Sequence, residues 1–141
     1  MGIQRVAVVG ASGYGGLQTL RLLNAHAAFD ITYLGGERSA GRRWTEICPF
    51  LPLGDDLSVD SPDPDRIAAA ADYAVLSLPN GLASQLVPPL LEKGVRVVDL
   101  SADYRYRNLD HWAAVYVHEA RTHQRTDCLL YTSPSPRDPH L

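Results

Sequence analysis

Apolar positions along this chain change their period from one segment to the next, and the changes predict an alternation of strands and helices. Leu17, Leu20 and Leu23 recur at helical spacing and predict a helix over residues 14–25. Four short runs rich in Val, Ile, Leu and Tyr predict strands over residues 5–9, 30–34, 73–78 and 95–100. Strands this apolar, connected through helices, are typical of a parallel sheet covered on both faces. We therefore expect an α/β fold with a doubly wound parallel sheet.

The other segments differ in how clearly their ends are marked. Asp63 followed by Pro64 is typical of a helix start, with Asp63 as the N-cap and Pro64 in the first turn. A later helix is expected from about Leu82 to Gly94, disturbed by its two internal prolines. Residues 37–59 contain Gly and Pro without a period, which predicts an extended connection with at most one short helical turn.

The turn after the first strand carries a regular glycine motif. Gly10, Gly13 and Gly16 follow that strand directly and lead into the first helix. The first glycine permits a sharp turn, the second allows the backbone to approach a pyrophosphate, and the third lets the helix pack on the strand. The free N–H groups of the first helical turn would then face the phosphates. The motif predicts a dinucleotide site in a Rossmann-type sheet; the alternative is a glycine-rich turn that binds nothing.

Composition narrows the class of protein. The 141 residues are 45% apolar and 21% charged, which is typical of one folded domain or part of one. A net charge of −3 without a basic run argues against a nucleic-acid partner. No stretch approaches the roughly 18 apolar residues of a membrane span, and no signal peptide is recognisable, so we expect no membrane partner. Cys48 and Cys128 are too few for a disulfide framework, which favours a cytoplasmic protein.

The end of the second strand bears on which dinucleotide binds. A carboxylate usually stands there when the ribose 2′-hydroxyl is free, but this sequence has Gly35 and Gly36, followed after one residue by Arg38 and Ser39. A guanidinium and a hydroxyl would hold a 2′-phosphate through charge-assisted hydrogen bonds. We therefore predict NADP rather than NAD. Glu37 leaves NAD open, because its carboxylate could accept a hydrogen bond from the ribose, and Arg38 could be an ordinary surface residue.

Four segments together resemble one enzyme family. They are GASGYGG at 10–16, ERSAG at 37–41, LPNG at 78–81 and DLSADYR at 99–105, the last being the most specific. Over residues 3–124 the chain is similar to the cofactor-binding part of N-acetyl-gamma-glutamyl-phosphate reductases. The resemblance implies a semialdehyde-dehydrogenase-type enzyme of arginine biosynthesis that reduces an acyl phosphate to an aldehyde with NADPH and is a homo-oligomer at full length. Two alternatives stay open: an aspartate-semialdehyde dehydrogenase, which shares the reaction logic, and a nucleotide-binding module without chemistry.

The resemblance also implies roles for individual residues. Contacts to the cofactor are implied for Gly10, Ala11, Ser12, Gly13, Tyr14 and Gly16 in the phosphate loop, Arg38 and Ser39 at the 2′-phosphate, Pro79, Asn80 and Gly81 beside the nicotinamide, and Ser101 after the fourth strand, with Asp103 nearby. Gly15 stands where the family usually has a hydroxyl residue, and Asn80 where it commonly has histidine, which removes a titratable group. Ser101 and Asp103 could equally cap the following helix.

The family's reaction implies two further groups, a cysteine thiolate that forms a thioester and a histidine that acts as acid and base. The cysteine belongs to an Asn-Pro-Gly-Cys-type motif that this sequence lacks, so we predict no catalytic residue here and expect cofactor binding without turnover. Cys48 is expected to be a small buried or loop residue. His118 and His123 are five residues apart, which does not favour a metal site.

The last segment of the sequence differs from the rest. Residues 127–141 have no clear period and carry three prolines between residues 134 and 139. The string CLLYTSPSPRD resembles translated sequencing-adapter read-through, so we predict a Rossmann domain over residues 1–126 and a non-native, disordered tail over 127–141. The alternative is a genuine Pro/Ser-rich tail.

Overall fold

The computed structural model describes residues 2–54, 56–104 and 108–116. In chain order the elements are β1 (Gln4–Val9), α1 (Tyr14–Asn24), β2 (Phe29–Gly35), α2 (Trp44–Ile47), β3 (Val59–Asp60), α3 (Pro64–Ala70), β4 (Tyr73–Leu76), α4 (Ala83–Glu92), β5 (Arg96–Asp99) and α5 (Leu109–Val115). The five strands form one sheet in the order β3-β2-β1-β4-β5, and every pair is parallel. The expected α/β, Rossmann-type doubly wound sheet is confirmed. Its strand order reverses between β1 and β4, which is where such sheets bind ligands.

The core lies in two layers, one on each face of the sheet. Side chains of β1 alternate between them, because successive residues of a strand point to opposite faces. Val8 packs with Leu20 of α1 and Trp44 of α2, whereas Val9 packs with Ile67 of α3 and other residues of the opposite layer. The predicted helix with Leu17, Leu20 and Leu23 at helical spacing is confirmed as α1. Leu20 is fully buried in this layer, and the two leucines that share its face pack against it.

Two local predictions need correction. The connection after β2 contains the expected short helical turn as α2, but it ends in a two-residue strand, β3, that the sequence pattern did not predict. This strand depends on its neighbour, because Leu34 pairs with Val59 and Gly35 with Asp60. Two residues are too few to produce a period of their own.

The proline pair does not interrupt α4, contrary to expectation. Pro88 and Pro89 lie inside the helix, which continues to Glu92 and is followed by Gly94 at a φ of 80°. Pro88 has no N–H to donate to the Ser84 carbonyl one turn earlier. The Tyr104 hydroxyl donates to that carbonyl instead, at 3.4 Å. The tertiary structure thus provides a partner for a carbonyl that the proline leaves without its usual one.

Coverage of the sheet is also less complete than predicted. Val8, Val75 and Val98 pair side by side across β1, β4 and β5 and so share one face. Val8 is fully buried beneath α1, Val75 is half-buried, and Val98 is 51% exposed. Leu100, directly after β5, is also 51% exposed. Within the described ranges, the helices therefore cover this face at β1 but not at β5.

The predicted boundary at residue 126 and the predicted tail over 127–141 lie outside the described residues and stay predictions. In the part of the chain that the structure describes, the helices are all too short or too polar to cross a membrane.

Candidate functional site

The turn between β1 and α1 needs two of its three glycines for packing. Gly10 has a φ of 85°, and a Cβ built on it would lie 2.0 Å from the carbonyl oxygen of Ser77. A Cβ on Gly16 would lie 1.9 Å from the carbonyl oxygen of Gly10. A Cβ on Gly13 would meet that same oxygen at an ordinary 3.6 Å. No described protein atom therefore requires glycine at position 13.

The backbone of this turn is held against the end of β2. The N–H groups of Gly10 and Ala11 both donate to the carbonyl of Gly35, at 2.8 and 3.2 Å. The Gly13 N–H donates back to Gly10 at 3.2 Å, and the Leu17 N–H begins the helical ladder on the Gly13 carbonyl at 2.8 Å. These bonds orient the turn at the carboxyl edge of the sheet.

Four other N–H groups of the turn have no acceptor in the part of the chain that the structure describes. Gly13, the N-cap of α1, provides no side-chain cap, and the first turn of the helix holds no acidic residue. Among the described residues, no protein atom accepts a hydrogen bond from the backbone N–H of Ser12, Tyr14, Gly15 or Gly16. Unpaired N–H groups at the positive end of a helix form a site for an anion, and a diphosphate is the anion that a glycine turn in this position accommodates.

The loop after β2 meets this turn through two hydroxyls. Ser12 and Ser39 place their Oγ atoms 3.3 Å apart, and Ser39 is only 5% exposed. Arg38 is exposed and makes no hydrogen bond or ion pair with another residue of the described ranges. Of the predicted 2′-phosphate residues, Ser39 therefore lies beside the predicted phosphate loop, and Arg38 has a guanidinium without a partner among the described residues.

Glu37 is turned to a different partner. Its two carboxylate oxygens accept a hydrogen bond from the Ser61 hydroxyl, at 2.9 and 3.0 Å. Ser61 directly follows β3, which pairs with β2 on the side away from β1.

A mainly apolar pocket of about 160 Å³ lies between the ends of β2 and β4. β1 lies between these two strands in the sheet, and the glycine turn follows β1 at the same edge. Its lining residues are Glu37, Pro62, Leu78, Leu82, Gln85 and Leu86. An apolar slot beside an anion site suits a flat aromatic group such as a nucleotide base.

The third loop of the site is held by a buried carboxylate. Asp103 is 0% exposed and accepts hydrogen bonds from the N–H groups of Gly81 and Ser84, at 2.6 and 2.9 Å. It caps the start of α4, the helix that precedes it in the chain. The alternative in which Asp103 caps the following helix is wrong, because Asn108 accepts the N-terminal hydrogen bonds of α5.

Ser101 and Asn80 also hold loops together. The N–H and hydroxyl of Ser101 both donate to the Asp99 carboxylate at 2.9 Å, and the Ser101 hydroxyl accepts a hydrogen bond from the Asp103 N–H at 3.2 Å. Asn80 Oδ1 accepts from the Ala102 N–H at 2.8 Å. The structure thus brings the turn of Pro79, Asn80 and Gly81 against the loop after β5, as the sequence predicts, and shows that Ser101 binds protein atoms.

The family model described as "Semialdehyde dehydrogenase, NAD binding domain" matches residues 5–127. The chain belongs to this semialdehyde dehydrogenase family.

Relatives and solved structures agree with that assignment. Over 126 residues the chain is 69% identical to N-acetyl-gamma-glutamyl-phosphate reductase of Prochlorococcus marinus (strain MIT 9313), covering 89% of this chain and 35% of the relative. The reductase of Synechococcus sp. (strain CC9605) is 65% identical over 92% of this chain and 36% of its own length. The chain therefore spans about a third of the length of these curated relatives. Aspartate semialdehyde dehydrogenase with NADP from Candida albicans has a similar structure, with a TM-score of 0.63 at 25% identity over 73% of this chain and 31% of that chain.

The residues present fit the cofactor that the semialdehyde dehydrogenase family model specifies. The unpaired N–H groups suit its pyrophosphate, and the adjacent apolar pocket suits its base. This semialdehyde dehydrogenase domain therefore binds a nicotinamide dinucleotide.

Other candidate groups lie away from the site or outside the described residues. Cys48 is a free cysteine, 3% exposed, in the layer that contains Trp44, which confirms its predicted structural role. The described ranges contain no cluster of three His, Cys, Asp or Glu side chains that could hold a metal ion. His118, His123 and Cys128 are outside these ranges. Sequence reasoning missed Ser61, because its hydrogen bond to Glu37 spans 24 residues and gives no local signal.

Proposed function

We propose that this chain is the NADP-binding part of an N-acetyl-gamma-glutamyl-phosphate reductase, which reduces N-acetyl-glutamyl phosphate to the semialdehyde in arginine biosynthesis. The identity of 69% to a reductase of that name supports the substrate and the reaction. A cytoplasmic location and a homo-oligomeric full-length enzyme are further parts of the proposal, supported by the same likeness. The single structural observation that carries the choice of cofactor is that Arg38 has no partner among the described residues, while its neighbour Ser39 places its Oγ 3.3 Å from that of Ser12 in the glycine turn.

The preference for NADP follows from the charges at the end of β2. Arg38 has no described partner, so its charge is available to a phosphate, and Ser39 and Ser12 offer hydroxyls beside it. An NAD-type site instead presents a carboxylate to the ribose 2′-hydroxyl. The one carboxylate nearby in sequence, Glu37, is hydrogen bonded to Ser61. These contacts support a site for a 2′-phosphate.

The remaining contacts of the cofactor divide among the three loops. In the proposal, the pyrophosphate lies against the turn formed by Gly10, Ala11, Ser12, Gly13, Tyr14 and Gly16. The adenine occupies the apolar pocket beside this turn, and the nicotinamide lies towards Pro79, Asn80, Gly81 and Ser101. Support comes from the position of all three loops at the carboxyl edge of one parallel sheet.

The residues of this chain contribute binding and orientation to the reaction. Bound NADPH would supply the reducing equivalent that converts an acyl phosphate into an aldehyde. The Asp103 carboxylate accepts a hydrogen bond from the Gly81 N–H, and the Asn80 amide oxygen accepts one from the Ala102 N–H. These bonds hold together the two loops that would form the nicotinamide side of the site. We assign no nucleophile to the described residues, where the one free cysteine, Cys48, is buried in the core.

Fluorescence titration of the purified chain with NADPH and NADH tests the proposal. We expect NADPH to bind more tightly, and Arg38→Gln to weaken NADPH binding about tenfold or more while changing NADH binding by less than about twofold, because a hydrogen bond to a charged group contributes about 1.5–3 kcal/mol. Arg21→Gln in α1 is the matched control, since it removes an exposed arginine whose one hydrogen bond to a described residue is to Gln18. If Arg38→Gln weakens both cofactors equally, the 2′-phosphate assignment is wrong; if wild type binds neither, the cofactor site itself is wrong.

A further inference from the structure

The end of β2 contains both a cation that suits a 2′-phosphate and an anion that would repel it. Glu37 precedes Arg38 and follows the strand by two residues, close to where NAD-specific domains place their ribose-binding carboxylate. A carboxylate free to rotate there would accept a hydrogen bond from a 2′-hydroxyl and oppose a 2′-phosphate. The selectivity of the site therefore depends on where the Glu37 side chain points.

The structure directs that side chain towards β3. The Ser61 hydroxyl lies 2.9 Å from one carboxylate oxygen of Glu37 and 3.0 Å from the other. The backbone places these residues side by side, because the Gly36 N–H donates to the Asp60 carbonyl at 2.9 Å. The hydrogen bond between Glu37 and Ser61 thus joins the second residue beyond β2 to the first residue beyond β3.

Ser61 itself is held from within the core. The hydroxyl of Tyr33, a β2 residue that is 5% exposed, donates to the Ser61 carbonyl at 3.2 Å. Burial raises the pKa of Tyr33 above its ordinary value, so the hydroxyl keeps the proton that it donates. The hydroxyl of a buried ring therefore holds the backbone of an exposed serine, which in turn orients an exposed glutamate.

We propose that Ser61 is a positioning residue for cofactor selectivity, holding the Glu37 carboxylate against β3 so that Arg38 and Ser39 can receive a 2′-phosphate. This inference rests on the proposed function, because it concerns the same cofactor site. Ser61 needs no contact with the cofactor in this role. Its effect passes through the charge of Glu37, and that dependence distinguishes positioning from a general structural contribution.

The test is a double-mutant cycle on the purified chain, read as the ratio of NADPH to NADH affinity by fluorescence titration. We expect Ser61→Ala to lower this ratio about three- to tenfold, the size of one exposed interaction between like charges. In a Glu37→Gln background the same substitution should change the ratio by less than about twofold, because the amide carries no charge to misplace. Ser61→Thr keeps the hydroxyl and should retain the wild-type ratio.

Matched controls make each outcome decisive. Thr45→Ala removes a comparable exposed bond, from a hydroxyl to the Asp56 carboxylate at 3.1 Å, and should leave the ratio unchanged. If Ser61→Ala does not fold by circular dichroism, Ser61→Gly serves in its place. An unchanged ratio, or an equal loss with and without the Glu37 charge, overturns the role of Ser61 while leaving the NADP site intact. Wild-type chain that binds neither cofactor overturns both proposals.

Discussion

Substituting Gly16 with alanine should damage the fold, because the added methyl group meets backbone rather than a movable side chain. The new Cβ would lie 1.9 Å from the Gly10 carbonyl oxygen and 2.9 Å from the Ala11 Cα. Ordinary contact begins at 3.4 Å, so α1 and the glycine turn must separate by about 1.5 Å, the difference between 3.4 and 1.9 Å. Overpacking of a core typically costs about 1–3 kcal/mol, and a clash between two backbone segments belongs at the upper end.

Gly13→Ala is the matched control within the same motif. Its Cβ would meet the Gly10 oxygen at 3.6 Å, and its φ of −80° suits an alanine. We expect the free energy of unfolding to change by less than about 1 kcal/mol, which includes the weaker N-cap preference of alanine. NADPH binding should nevertheless weaken about tenfold, because the methyl group occupies space on the side where the pyrophosphate approaches.

Urea denaturation followed by far-ultraviolet circular dichroism, together with NADPH titration, separates the two effects. Gly16→Ala should lower the free energy of unfolding by about 3 kcal/mol and shift the urea midpoint to a lower concentration accordingly. This loss is a large fraction of the roughly 5–15 kcal/mol typical of a domain. Equal stability of Gly16→Ala and wild type would refute the steric argument. Equal destabilisation by both substitutions would refute the claim that packing requires only one of these two glycines.

Two further predictions concern buried groups near the site. Asp103→Ala should lower the free energy of unfolding by about 2–5 kcal/mol in urea denaturation, because two N–H groups lose a buried charged acceptor. Asp63→Ala is the control, since it removes a less buried cap with two similar hydrogen bonds, and it should cost about 1 kcal/mol. Equal losses from the two substitutions would contradict the role of burial. The raised pKa of Tyr33 means that the folded chain retains a proton that the unfolded chain releases above pH 10.0, so stability should fall as the pH rises above that value. Tyr33→Phe should show a smaller loss between about pH 9 and about pH 11 in the same assay, and an identical loss would exclude Tyr33 as a source.

Much of the local structure could be predicted from the sequence because its causes are local. The apolar runs predict four of the five strands, and Asp63 accepts hydrogen bonds from Asp65 and Arg66 as its N-cap position requires. The glycine spacing likewise predicts the turn after β1, and the dinucleotide-binding class of the domain agrees with the family model.

The tertiary structure decided which distant residues meet. β3 exists because β2 pairs with it, and Asp103 caps a helix that begins 20 residues earlier in the chain. Glu37 and Ser61 become neighbours only because the sheet places the ends of β2 and β3 side by side. Neither residue carries a local signal of the other, since a hydrogen bond across strands depends on strand order and register, which a period of apolar residues does not encode. The sequence alone therefore determined that a glycine turn follows β1, whereas the pairing of strands decided which side chains meet at the ends of β2 and β3.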